Sequence, residues 1–161
     1  MPRIRRGQSA PPHLELDHFL PYRLSVLTNT VSAAIARTYA KRFSLSIPEW
    51  RVMAVLAREP GLSAAQVVER TAMDKVAVSR AVSRLVRARR VHRTLARGDR
   101  RRSVLALAAA GADAYAAIAP WAIAYERALT AALTADEAAA LDRIIAKLLQ
   151  RAHELADTGV A

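Results

Sequence analysis

A mainly α-helical chain, interrupted by one small β-hairpin and closed by long helices, is expected from three features of the sequence. Alanine and the aliphatics dominate a composition that is 53% hydrophobic but only 5% aromatic, and alanine has the best helix propensity and little β preference. Helix starts are unusually well marked. Ser46…Glu49, Ser63…Gln66 and Thr134…Glu137 fit the capping box, and Asp74 places a capping carboxylate at the positive dipole end of a further helix. Finally, only Val91–Leu95 and Ser103–Leu107 read as β-like, on either side of a polar turn containing Gly98-Asp99. A length of 161 residues suits one domain or one interdigitated subunit rather than two independent cores.

In chain order, a first helix is expected from about Asp17 to Phe43, with Leu20, Leu24, Leu27, Val31 and Ile35 in one stripe. A second runs from Pro48 to Arg58 and stops at Pro60-Gly61; a third, short one covers Ala64 to Thr71. The fourth runs from Lys75 to about Arg89. The hairpin follows, with a mixture of strand, turn and loop left open for it. Two long helices, Ala110 to Ala132 and Ala135 to Leu155, close the chain.

Residues 1–16, with Arg3, Arg5, Arg6 and Pro11-Pro12, are expected to form a disordered basic arm. No apolar run follows the arginines, so the arm is not a signal peptide and a cytoplasmic location is expected. Val104–Tyr125 carries a single charge, Asp113, yet it is mostly alanine and contains Gly111 and Pro120. Alanine gains little from hydrocarbon, so no membrane span is expected there.

Charge points to the function. The chain carries a formal +11. Residues 74–102 hold Lys75 and ten arginines against Asp74 and Asp99, a surplus of nine in 29 residues. A field of one sign repels itself and calls for a polyanionic partner. On a helical wheel, Ser79, Arg80, Ser83, Arg84 and Arg87 fall within an arc of roughly 140°, opposite Val78, Ala81, Val82 and Leu85. One face can pack while the other presents hydroxyls and guanidinium forks. An ordinary solvated amphipathic helix would show both signs of charge on that face; this one shows only positive.

A short helix, a tight turn and a longer basic helix make a helix-turn-helix, and the following hairpin makes it winged. The expected organisation is therefore a winged helix-turn-helix over 46–107, flanked by helical dimerisation segments at 17–45 and 108–157. The hairpin tip, Arg97, Gly98, Asp99, Arg100 and Arg101, can reach a minor groove or the backbone while the helix sits in the major groove. Asp99 is expected to brace a neighbouring arginine, or simply to form the turn.

Three strings, Leu45-Ser-Ile-Pro-Glu-Trp-Arg-Val-Met-Ala-Val-Leu56, Asp74-Lys-Val-Ala-Val-Ser-Arg-Ala-Val-Ser-Arg-Leu85 and Asp99-Arg-Arg-Arg-Ser-Val-Leu-Ala-Leu107, resemble the MarR family of bacterial transcription regulators. The resemblance covers about residues 17–155. It implies that residues 75–87, with Lys75, Val76, Ser79, Arg80, Ser83, Arg84 and Arg87 as the contact set, read the major groove of double-stranded DNA. It implies further that Arg101 enters the minor groove and that Asp99 braces the wing. Two positions depart from the pattern: Arg90 stands where the family commonly has glycine, and Ala108 where it commonly has threonine. The first removes a favourable helix stop and the second an N-cap.

Alanine fills 18 of the 35 positions in 106–140, and Leu129, Leu133, Leu141, Ile144, Ile145, Leu148 and Leu149 supply bulk. A two-fold homodimer is expected over a monomeric bundle, since a paired reader doubles its contacts and MarR-like proteins dimerise through both termini. The resemblance also implies repression of a pseudo-palindromic operator, relieved by a small anionic aromatic compound. Tyr22, Arg23, Tyr39, Trp50 and Arg51 are the candidates to hold it, with a guanidinium fork on the carboxylate and rings on the aromatic body. Without an effector, the same features describe a DNA-binding or architectural protein. An RNA-binding module is less favoured, because 74–102 holds no aromatic residue for base stacking.

Enzymatic chemistry is not expected. The chain has no cysteine, its four histidines, His13, His18, His92 and His153, sit at unrelated spacings, and no nucleotide-binding or nucleophile motif occurs. No metal or cofactor is expected.

Overall fold

The computed structural model describes residues 13–96 and 99–159, and of residues 96 and 99–102 the backbone only. It contains α1 (Leu20–Phe43), α2 (Ile47–Arg58), α3 (Ala64–Thr71), α4 (Lys75–Arg87), β1 (Val91–Ala96), β2 (Asp99–Leu107), α5 (Ala109–Thr130) and α6 (Ala135–Asp157). This is the expected order. Two compact units divide between Ile47 and Pro48.

In the first unit, a 3-10 turn at Leu16–His18 precedes α1, so the α-helix starts at Leu20 rather than Asp17. Pro21, in its first turn, supplies the reason: a proline there has its φ preset and needs no partner for a missing N–H. Tyr39 and Leu45 are buried, whereas Leu20, Leu24 and Leu27 are about half exposed.

The second unit is built around Val52, Met53 and Leu56 of α2, Val67 of α3, the inner face of α4, Val91, Leu105, and Ala114 and Ile118 of α5, all buried. Its helix starts follow the capping chemistry. Ser63 and Gln66 cap each other's backbone at α3, Thr134 and Glu137 do the same at α6, and Asp74 Oδ1 accepts the Ala77 N–H at 2.8 Å. Each such cap is typically worth about 1 kcal/mol.

The hairpin is antiparallel and regular from Val91↔Leu107 to Leu95↔Ser103, after which the register shifts and Ala96 pairs with Asp99. Asp99 thus belongs to β2 rather than to the turn alone, and the strands reach further toward the tip than Leu95 and Ser103. A single bridge, Leu62↔Leu105, ties the base of the wing to the α2–α3 turn. There Gly61 N–H donates to the Leu105 carbonyl at 2.9 Å and Leu105 N–H to the Leu62 carbonyl at 2.8 Å. Gly61 makes this approach at φ +87°, a conformation natural only to glycine.

The end of α4 corrects one expectation. The helix stops at Arg87, and the left-handed residue that a glycine would suit is Arg89 (φ 55°), not Arg90. Arg89 N–H donates to the Val86 carbonyl at 3.0 Å and Arg90 N–H to the Leu85 carbonyl at 2.9 Å. Together these two bonds are a Schellman cap, and they place the special residue one position before the one read from the sequence. The other departure holds as expected: Ala108 stands at the N-cap of α5 and offers no side-chain acceptor.

No helix among the described residues is long and apolar enough to cross a membrane, the Val104–Tyr125 stretch included.

Candidate nucleic-acid interface

The two faces of α4 separate as the wheel requires. Val78, Ala81, Val82 and Leu85 are at most 3% exposed, while Lys75, Val76, Ser79, Arg80, Ser83, Arg84 and Arg87 all face solvent. The buried four are the physical reason for the exposed seven: once the apolar arc is sealed in the core, helical geometry leaves the remaining side chains no other direction. Among the described residues, ion pairs hold Glu59 to Arg58 and Arg70, and Glu154 to Arg151; none engages Lys75, Arg80, Arg84 or Arg87. Among the described residues, no carboxylate forms an ion pair with these four exposed cations.

Arg93 of β1 is absent from the contact set expected from sequence, although it lies in the same charge run. It joins Lys75, Ser79 and the acidic Glu69 in lining a cleft of about 410 Å³ walled by Ala64, Val68, Val78 and Val82. It also joins Ser83, Val86 and Arg87 around a shallower hollow of about 290 Å³. The hairpin thus sets its cation beside successive turns of α4, next to Lys75 and Ser79 in one hollow and Ser83 and Arg87 in the next. The signal that could have found Arg93 is its place in the first strand of a hairpin that directly follows the basic helix.

Arg97 lies outside the described residues. Asp99, Arg100 and Arg101 are placed by backbone alone, in the tip-proximal part of β2. The candidate effector residues divide between the two units. In the first, Tyr22 and Arg23 line an open hollow of about 380 Å³ with Asp17, Val26, Leu27 and Thr30, and Tyr39 is buried. In the second, Arg51 is partly buried, and the Trp50 ring stacks on Tyr115 of α5, with centroids 5.6 Å apart and planes 19° apart. Tyr115 escaped sequence reasoning because the pair is separated by most of the winged segment. No cluster of potential metal ligands occurs among the described residues.

A buried helix face, an opposed cationic face and a hairpin beside it define a winged helix-turn-helix protein with long helices attached. Comparison with known proteins narrows the class. Residues 43–102 match the model of the MarR family. In solved structures the chain is similar to a MarR/EmrR family transcriptional regulator from Acinetobacter sp. ADP1, at 23% identity over 88% of this chain and 99% of that one, with a TM-score of 0.80. It is also similar to a mutant MarR from E. coli complexed with operator DNA (22% identity, 86% and 99% covered, TM-score 0.71). A third is BpsR from Bordetella bronchiseptica (20% identity, 86% and 97% covered, TM-score 0.73), whose structure concerns regulation of DNA binding by 6-hydroxynicotinic acid. No curated protein sequence matches the chain. Residues 43–102 thus match the model of the MarR family, and over 88% of its length the chain shares the fold of a solved MarR/EmrR family transcriptional regulator.

Proposed function

We propose that this protein is a sequence-specific, duplex-DNA-binding transcription regulator that acts as a homodimer. One observation carries the reading: apart from Val76, the outward arc of α4 is cationic and hydroxylic, and it is exposed and in no ion pair with a carboxylate among the described residues. Arg80, Arg84 and Arg87 fork onto base edges and phosphates, Ser79 and Ser83 add hydrogen bonds, and Lys75 and Arg93 hold the backbone. At the wing, Arg97, Arg100 and Arg101 follow the minor groove, with Asp99 bracing them.

Dimerisation is supported by α6, which buries no residue of its own yet carries Leu141, Ile144, Ile145, Leu148 and Leu149 in one stripe, each 41–57% exposed. A monomeric bundle would bury such a stripe; a second copy of the chain can cover it. The exposed leucines of α1 supply a further apolar face. Residues 46–107 then serve as the reading head, and 17–45 with 108–157 as the dimerisation region.

The dimer represses by occupying a pseudo-palindromic operator, and a small anionic aromatic compound releases it. Within the first unit, Arg23 and Tyr22 offer a guanidinium for the carboxylate and a ring for the aromatic body. BpsR, with its 6-hydroxynicotinic acid, lends the reading an analogy. Such a compound acts only by binding the DNA-competent and DNA-incompetent states with different affinity.

Competition between duplex DNA and RNA over a range of salt concentrations tests the reading. Duplex DNA should win, and log affinity should fall linearly with log salt, with a slope of about −0.9 for each phosphate neutralised. Equal preference for RNA, or salt-independent binding, would contradict it.

A further inference from the structure

Val76 is anomalous on its own helix. It stands at the second position of α4 and is 57% exposed, and the wheel puts it near the middle of the outward arc, about 60° from Ser79. Its neighbours there are Ser79, Arg80, Ser83 and Arg87, all polar. Packing does not account for it, since the buried arc of α4 lies on the opposite side. Helix formation does not account for it either, because a β-branched residue is a poorer helix former than the alanine, lysine or arginine found elsewhere in the helix. An exposed isopropyl group in a cationic surface is placed to meet an apolar group on the polyanion that the surface attracts.

Duplex DNA offers one such group in its major groove, the C5-methyl of thymine. The N-terminal end of a recognition helix is also the end that reaches base edges in this kind of reader. The other exposed valine of α4, Val86, lies ten residues further along, some 15 Å toward the far end of the helix. It borders the hollow shared by Ser83, Arg87 and Arg93, away from the N-terminal end where Val76 stands. We infer that Val76 is a specificity-determining residue that reads the C5-methyl of a thymine in each half-site. The inference rests on the duplex-DNA reading proposed above and assigns it one base contact.

Replacing thymine by deoxyuridine removes that methyl while leaving base pairing and phosphates intact, which makes the test selective. The full-length chain first selects its preferred duplexes from a random pool. Each thymine of the selected duplex is then replaced singly by deoxyuridine, and affinities are measured for the wild type and for Val76→Ala. At one thymine per half-site, the wild type should lose about fourfold, as expected for one methyl group no longer buried. Val76→Ala should bind the thymine duplex about fourfold more weakly than the wild type and be indifferent to the replacement. If duplexes are selected but no replacement affects the wild type, or the variant keeps the same sensitivity, Val76 does not read a methyl group. If no duplex is selected over random sequence, the DNA reading itself fails, and this inference with it.

Discussion

A β-carbon on Gly111 would run into the main-chain carbonyl of Arg90. That carbonyl also accepts the Ala108 N–H at 2.9 Å. The segment that follows α4 is thereby joined to the first turn of α5, where the winged segment hands over to the long terminal helices. The bond satisfies the N–H of the N-cap residue itself, while the Gly111 N–H turns back onto the Ala108 carbonyl at 2.9 Å.

Gly111→Ala should therefore destabilise the protein, although alanine is the better helix former. Backbone cannot move aside as a flexible side chain can, so a loss of about 1–3 kcal/mol is expected, as for overpacking in a closed core. Denaturant unfolding measures it. A variant as stable as the wild type would show that the approach of α5 to Arg90 is not tight.

Arg89→Gly should have the opposite sign. Arg89 holds the left-handed C′ position of a Schellman cap, which costs a non-glycine residue about 1–2 kcal/mol, offset in part by the greater freedom of glycine in the unfolded chain. A net gain of about 0.5–1 kcal/mol is expected in thermal or denaturant unfolding. The same change at Arg90, which is not left-handed, should give no such gain.

Arg84→Ala and Arg101→Ala separate the two grooves. Loss of Arg84 should relax discrimination at one base position and cost about 1–3 kcal/mol of specific affinity. Loss of Arg101 should weaken binding mainly where the flanks are rich in A·T pairs. Binding assays on matched and randomised duplexes check both; unchanged affinity of the Arg84 variant for matched and randomised duplexes alike, or indifference of the Arg101 variant to flank composition, counts against the assigned contact.

Glu137 carries a pH signature. The Thr134 backbone N–H and hydroxyl both donate to its carboxylate, which holds its pKa below the ordinary carboxylate value. A depressed pKa stabilises the fold at pH values above the unfolded pKa, and that contribution is lost as pH falls through the lower folded value. Glu137→Gln should accordingly be less stable than the wild type at neutral pH, with the gap closing in acid. An NMR titration placing Glu137 at or above the ordinary carboxylate pKa would refute the capping box in solution.

The fold was legible wherever local chemistry decides it. Asp74, Ser63 and Thr134 announce helix starts by what they can accept, and the four apolar residues of α4 give away its buried side. Two kinds of feature stayed hidden. The left-handed residue after α4 depends on where the helix releases its last carbonyls, and a shift of one residue moved it from Arg90 to Arg89. The Trp50–Tyr115 stack and the tie between Gly111 and Arg90 are made across sequence separation, where periodicity carries no signal. The candidate site was readable on α4 because charge and helical period coincide there, and Arg93 was missed because a strand residue has to be placed by tertiary contact.

The central claim, that the outward face of α4 reads duplex DNA, is tested most directly by selecting bound sequences from random duplexes with the full-length protein. The account predicts enrichment of a pseudo-palindrome whose half-sites lie about one helical turn apart. Recovery of sequences indistinguishable from the starting pool would contradict it.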